Sequence, residues 1–510
     1  MNTSKSICLF AHFNENDEVS EYVFTYLQHL ADLGFYIVFI SNSPVKEVFS
    51  QRLTASFKCS VNTRENKGGD FGAWKWAMQK DLVPSDVDDV LLANDSVFGP
   101  LFDLEPIIQS MKERELDFWG MTDSAQGGWH IQSYFLLLTA KVYFSDQFKH
   151  VFEEDFGSLG KKQIINKGEI YLSTALQGAG FKGGAFISQN NFSFRGDNRD
   201  FNPTHFFWRE LIERFKFPFI KKDLVTKNQE HINDALQAFE LIERKSNYNL
   251  DLIVDFFPAH KRMVANSPSP LKPLVLCHMF FSDLAMGFIN DLQTLLPYNP
   301  FFVFNLSESL GRNEHFTRIL RNCFPESIII SSPNKGRDIG GKLFGLNMAY
   351  QLGISSDVTL IIHDKKSQHL GAGELWRDQL FRVIEGKYLP KIFRKFEEDP
   401  KVGIVCAEQF IQNEYNKDKN TFMCTSNRQI LSLLDKYDIR TKDYDFVAGN
   451  IFWIRTGLLN NFFANRSLME IRSELETGNA LDFGDGTFIH SWERIMSWIS
   501  TSQGYKFYGV

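Results

Sequence analysis

Asn66-Lys67-Gly68-Gly69-Asp70-Phe71-Gly72 returns in the second half of the chain as Asn334-Lys335-Gly336-Arg337-Asp338-Ile339-Gly340. One such match is weak evidence, so the order of the neighbouring features decides what it means. An apolar run ending in histidine, Cys8-Leu9-Phe10-Ala11-His12, precedes the first copy, and Val275-Leu276-Cys277-His278 precedes the second. Downstream, a strand-like run enters a polar cluster twice, at Leu91-Leu92-Ala93-Asn94-Asp95-Ser96 and at Leu360-Ile361-Ile362-His363-Asp364-Lys365. Late in each half a glutamate opens a helix-like stretch that closes on glycine, Glu169 to Gly180 and Glu493 to Gly504. Four landmarks in one order predict a duplicated domain.

Around the first copy the pattern alternates: strand 6–11, helix 18–33, strand 35–41, the glycine turn, helix 71–80, strand 89–93 and helix 104–114. Alternation of this kind predicts an α/β domain built on a mainly parallel sheet covered on both faces. Ligands then bind beyond the carboxyl ends of the strands. His12, Ser41-Asn42-Ser43 and Asn94-Asp95-Ser96 all fall at such ends and are expected to share one crevice. The expected domains are 1–226 and 271–510. Between them, 227–270 reads as a connector of two amphipathic stretches ending in the linker Asn266-Ser267-Pro268-Ser269-Pro270.

The 510 residues exceed one ordinary core and suit two domains. A hydrophobic share of 43% and a charged share of 23% describe a globular chain, and no apolar run approaches a membrane span. The N-terminus carries no secretory pattern, and the six cysteines have no CxxC spacing. Both features predict a cytoplasmic protein with reduced thiols. A net charge of −7 argues against general nucleic-acid binding. Most of the 50 phenylalanines occupy apolar positions of predicted elements. One segment, Phe206-Phe207-Trp208-Arg209 through Phe219-Ile220-Lys221-Lys222, interleaves aromatics with bases; it could rest peripherally on the inner face of the plasma membrane or pack inward.

The polar residues at the strand ends suggest chemistry. Asp95 is the single carboxylate of Asn94-Asp95-Ser96, so it permits a weak Mg²⁺ or Mn²⁺ site in the first domain, while an Asx turn at the strand end is the alternative. In the second half His363-Asp364-Lys365-Lys366 and Arg337 bring three cations to one strand end, enough to neutralise a diphosphate without metal, or else to form a solvated basic patch. Asp70 and Asp338 stand beside a glycine turn before a helix, where they could cap it or contact a base, ribose or sugar hydroxyl. Glu169 and Glu493 are expected at helix starts, either as N-terminal charges or as bases that take a proton from an attacking hydroxyl.

Longer blocks carry a resemblance. Glu65 to Trp74, Ala93 to Leu101, Asp117-Phe118-Trp119-Gly120 and His130-Ile131-Gln132-Ser133-Tyr134-Phe135 resemble the rhamnan synthesis protein F family. So do His363 to Ser367, Trp376-Arg377-Asp378, Gly449-Asn450-Ile451-Phe452-Trp453 and His490-Ser491-Trp492-Glu493-Arg494. The resemblance implies two tandem GT-A-like, Rossmann-like domains that transfer sugar, typically L-rhamnose from dTDP-L-rhamnose, in bacterial cell-surface polysaccharide assembly. It implies a nucleotide-sugar donor and a glycan or polyprenyl-diphosphate-linked acceptor. Donor contacts are expected from His12, Asp70, Asn94, Asp95, Ser96, His278, Arg337, Asp338, His363, Asp364, Lys365 and Lys366. Acceptor or sugar contacts are expected from Trp119, His130, Gln132, Trp376 and Arg377, and catalysis, with inversion, from Glu169 and Glu493. The alternatives are a non-catalytic glycan- or acceptor-diphosphate-binding or assembly role for one half, or another nucleotide sugar as the donor.

Overall fold

The computed structural model describes residues 5–192, 201–226, 235–257, 267–365, 377–480, 484 and 486–510. The chain divides into two compact units, Met1–His260 and Lys261–Val510.

In the first unit the strands are β1 (Ser6–His12), β2 (Phe35–Ser41), β3 (Cys59–Thr63), β4 (Asp89–Asn94), β5 (Val97–Phe98), β6 (Phe118–Ser124), β7 (His130–Ile131), β8 (Phe135–Thr139), β9 (Gly183–Ile187) and β10 (Ile220–Lys221). The main sheet runs β3-β2-β1-β4-β8-β6-β7, with β9 also on β6. β3, β2, β1 and β4 are parallel, and β8 lies antiparallel between β4 and β6. Leu9, Phe10, Ala11, Leu91 and Leu92 are wholly buried, as central strands must be when helices cover both faces. The helix Glu21–Asp32 buries Tyr22, Val23, Tyr26, Leu27 and Leu30. From the helix Gly69–Gln79, Phe71, Trp74 and Ala77 join Leu9 and Leu92 in one core. Each large apolar side chain among them contributes roughly 1.5–3 kcal/mol by leaving water.

Sequence periodicity passes over the helix Glu47–Ser56 and β3. The reason is physical: that helix buries only Leu53, and β3 is an edge strand without a fully buried residue, so neither carries a strong apolar period.

In the second unit the strands of the main sheet are β11 (Pro273–Met279), β12 (Phe301–Leu306), β13 (Ile328–Ser331), β14 (Val358–His363), β15 (Val402–Cys406), β16 (Phe452–Arg455) and β17 (Lys506–Gly509). They are ordered β13-β12-β11-β14-β16-β15-β17. Four parallel strands again meet an antiparallel neighbour, since β16 pairs antiparallel with β14 and β15. Both sheets are Rossmann-like, and in both the strand that carries the first landmark histidine, His12 on β1 and His278 on β11, lies beside the central strand, β4 or β14.

The described part of the connector belongs with the first unit: Ala235–Lys245 packs on the helix Trp208–Phe215, and Asp251–Val254 on Glu21–Asp32. The aromatic and basic segment packs inward. Trp208, Phe217, Phe219 and Ile220 are buried, and the Phe219 ring meets Tyr26 at 5.1 Å. Among the described residues no helix is long and apolar enough to cross a membrane.

Candidate functional site

In the second unit the motif turn is made by Gly336 and Arg337, at φ 77° and 50°, before the helix Arg337–Gln351. The turn is tight: a Cβ on Gly340 would lie 1.8 Å from the Lys335 carbonyl oxygen, and one on Gly72 of the first unit 2.0 Å from that of Lys67. Neither Asp70 nor Asp338 caps its helix; each sits inside the first turn. Asp338 Oδ2 accepts from Lys342 Nζ at 2.9 Å, one helical turn on, and lies 3.6 Å from His363 Nδ1. The Lys342 ammonium also donates to His363 Nδ1 at 2.9 Å and to the Asn450 carbonyl at 2.8 Å. An ammonium has no lone pair, so Nδ1 accepts and the His363 ring proton sits on Nε2.

These groups border a cavity of about 460 Å³ at the carboxyl ends of β11 and β14, lined by His278, Arg337, Asp338, His363, Asp364, Lys365 and Glu493 with the rings of Phe280 and Phe281. Asp364 Oδ2 accepts the backbone N–H groups of Phe280 and Phe281 at 2.8 and 2.7 Å, which fastens the aromatic pair to the end of β14. Its Oδ1 is buried and without a partner. Glu493 Oε1 accepts the Gly449 N–H at 2.7 Å, and Oε2 lies 3.4 Å from Arg494 Nη1. Glu493 is in the second turn of the helix Phe488–Thr501, capped by Thr487, and not at its start as expected.

Burial sets much of the electrostatics. It pushes Asp364 up to about 7 against its two N–H donors, drives His278 down to about 4, and drives His363 well below its ordinary value. Burial also opposes the charge on Asp338, but the Lys342 ammonium outweighs it and holds that carboxyl far below the usual range. The cavity therefore combines neutral imidazoles, an ionised Asp338, and Arg337 and Lys365 near its wall.

In the first unit the corresponding groups satisfy one another. Asp70 Oδ2 accepts from Asn94 Nδ2 at 2.6 Å, and Asn94 Oδ1 accepts from the Ser96 hydroxyl at 2.6 Å. His12 Nδ1 lies 3.0 Å from the Ser41 hydroxyl, and burial pushes this ring down to about 4. Trp74, one turn after Asp70, stands where the second unit has Lys342 and donates to the Leu9 carbonyl at 3.1 Å. Without that cation, burial and the Asp95 charge push Asp70 up to about 7. Glu169 lies in a π-helical turn, Ile165–Ile170, that continues into the helix Tyr171–Gly178, and it accepts the Ser133 backbone N–H. Ser133 and Gly449 each precede by four residues the residue paired with the third position of the central strand, Leu137 on Leu91 and Trp453 on Leu360.

Asp95 does not fit the expected metal. Its Oδ2 is 3.2 Å from Lys222 Nζ, both side chains being largely buried, so an ammonium already holds the position a cation would take. Among the described residues no three His, Cys, Asp or Glu side chains are grouped to hold an ion.

Four acceptor residues need correction or placement. Trp119 is 3% exposed and packs on Phe135 at 5.7 Å, so it is core. His130 Nδ1 donates to the Gly128 carbonyl at 2.8 Å, and Gln132 is held at both ends, by the Thr122 hydroxyl at 2.6 Å and Asn202 Oδ1 at 3.2 Å. Arg377 is tied to Asp291 at 2.6 Å and lies over the Phe381 ring. Lys366 and Trp376 lie outside the described residues. The sequence reading missed Lys342, although its spacing of one turn from Asp338 was visible. It also missed Lys222, whose partner Asp95 is remote in sequence, so no local pattern could reveal it.

A family model described as rhamnan synthesis protein F matches residues 37–505. Among curated relatives, virulence protein VirA of Vibrio anguillarum is 29% identical over 214 residues, 36% of this chain and 68% of its own. The uncharacterized protein WxcX of Xanthomonas campestris pv. campestris is 28% identical over 179 residues, 34% of this chain and 24% of its own. Among solved structures, the apo-form glycosyltransferase GlyE of Streptococcus pneumoniae is 12% identical, with 74% of this chain and 90% of that chain covered and a TM-score of 0.28. Core-mannan synthase A of Aspergillus fumigatus, in an Mn/GDP form, is 11% identical, with 34% and 71% covered and a TM-score of 0.23. Scores of this size do not establish a common fold, whereas the family match runs through both units and both copies of the motif. The chain belongs to the rhamnan synthesis protein F family.

Proposed function

We propose that the chain transfers L-rhamnose from dTDP-L-rhamnose to a growing cell-surface polysaccharide, glycan or polyprenyl-diphosphate-linked, with inversion, and that its two units are GT-A-like domains descended from one duplication. The observation that carries the reading is the second-unit cavity, where Arg337 and Lys365 stand with Asp338 and Glu493 around one space of nucleotide-sugar scale. Arg337 and Lys365 stabilise the charge that develops on the departing diphosphate. Asp338, ionised by Lys342, accepts from a ribose or sugar hydroxyl, and Glu493 takes the proton of the acceptor hydroxyl as it attacks the anomeric carbon from the opposite face. No step needs a metal.

The matching hydrogen bonds of Glu169 and Glu493 to Ser133 and Gly449 support a base in each half. The mutually satisfied polar groups at the first-unit strand ends favour a second reading, in which that half binds and does not catalyse. Product analysis with dTDP-L-rhamnose and purified acceptor separates the two. Glu493→Gln should lower turnover by about 10²–10⁴-fold. If Glu169→Gln removes a different linkage, both halves are active; if it leaves every linkage intact, the first is a binding module. Full activity in Glu493→Gln would remove Glu493 as the base.

A further inference from the structure

The lysine pair Lys365-Lys366 that follows Asp364 is replaced in the first half by Ser96-Val97 after Asp95. The charge arrives there from a distant segment. β10 pairs antiparallel with β5, Lys221 lies opposite Val97, and the Lys222 N–H donates to the Ser96 carbonyl at 2.9 Å. Two lysines thus stand across the ladder from the two positions that are lysine in the second half. The Lys222 ammonium is 3.2 Å from Asp95 Oδ2 and 3.0 Å from the Tyr22 hydroxyl. The Lys221 ammonium lies 3.9 Å from the centre of the Tyr134 ring.

The charged surroundings repeat as well. Glu169 and Asp70 act on Lys221 as Glu493 and Asp338 act on Lys365, and burial lowers both ammonium groups, Lys221 to about 8. Lys221 therefore lies in the field of the same two carboxylates of the repeated landmarks, from another part of the chain, with Asp223 acting on it in the same sense. A partly desolvated ammonium is a compact point charge suited to phosphate oxygens.

Resting on the glycosyl-transfer reading above, we infer that Lys221 and Lys222 form a metal-independent site for a diphosphate ester in the first unit, taking the part that Lys365 takes in the second. Lys222 neutralises Asp95, which would otherwise repel the ligand, and Lys221 supplies the charge that meets it.

The test is calorimetric titration of the full chain in EDTA with dTDP and, separately, with geranyl diphosphate, in a Lys365→Met background that weakens the second-unit site. One remaining site is expected, weakened at least tenfold by adding Lys221→Met, restored to within threefold by Lys221→Arg, and changed less than twofold by Mg²⁺ or Mn²⁺. The paired change Asp95→Asn with Lys222→Met removes the repelling carboxylate together with its neutralising cation and should leave the same site within threefold of its affinity, whereas Lys222→Met alone, which frees the Asp95 charge, should weaken it. Binding of dTDP assigns it to a nucleotide donor; binding of geranyl diphosphate alone assigns it to a lipid-linked acceptor. A remaining site that ignores Lys221→Met, or that needs a divalent metal, overturns the inference and leaves glycosyl transfer standing. A wild-type chain that binds neither ligand removes both.

Discussion

Lys342 is the residue on which the second site turns. It is 2% exposed and holds Asp338, His363 and the Asn450 carbonyl together. Lys342→Met leaves Asp338 as a partly buried carboxylate without its counter-charge, which should cost about 3–5 kcal/mol. The double variant Lys342→Met with Asp338→Asn should recover much of that stability in urea unfolding without recovering dTDP affinity; recovery of both would reduce Lys342 to packing. Asp364 titrates in the opposite sense to Asp338. Its carboxyl is raised by burial to about 7, so between roughly pH 4 and pH 7 the unfolded chain releases this proton while the folded chain keeps it. Its contribution therefore falls as pH rises through that window. Asp364→Asn keeps an acceptor for Phe280 and Phe281, and its unfolding midpoint relative to wild type should improve from pH 5 to pH 8; a constant difference would mean that Asp364 is already ionised at pH 5.

At the scale of elements, the two glutamates reach equivalent backbone groups through different helices. Glu493 projects from a regular helix, whereas Glu169 depends on the wide turn Ile165–Ile170. Such turns add a residue to a helix and often re-aim a side chain at a functional site. Deleting Asn166 should restore the α-helical period and rotate one side of the helix by about 100° against the other. Loss of Glu169-dependent product with a melting temperature within a few degrees of wild type is expected, and retained product would show that the turn does not aim Glu169. The glycine turns are the rigid part of both sites, because Gly72 and Gly340 press on the carbonyls of Lys67 and Lys335 and admit no side chain.

At the scale of the whole molecule, two compact units bear two differently charged strand ends. The second has a cavity with Arg337 and Lys365 at its wall; the first has a paired network centred on Asp95 and Lys222. Scanning calorimetry should resolve the units, with the second identified as the transition that Lys342→Met lowers. Saturating dTDP at a hundred times its dissociation constant should stabilise that unit by about 2.7 kcal/mol. A ligand shift confined to the other transition would move the donor site out of the second-unit cavity.

The repeat of NKGxDxG, histidine-ending strand, polar cluster and glutamate was enough to show the α/β character and to pick out residues that the second unit gathers round one cavity, because those features are carried by residues close in sequence. His278, Arg337, Asp338, His363, Asp364, Lys365 and Glu493 indeed line one cavity. The structure places Trp119 in the core and gives Gln132 and Arg377 partners within the chain, because a polar or aromatic residue in a matching block looks the same whether it faces a ligand or completes a core. The sequence reading left the Lys221-Lys222 segment open between a surface stretch and one that packs inward. Only the tertiary structure turned that segment inward and brought Lys222 to Asp95, because a hydrogen-bonded ladder between β5 and β10 couples positions far apart along the chain. Local pattern determined which groups repeat; long-range pairing decided which charge each of them meets.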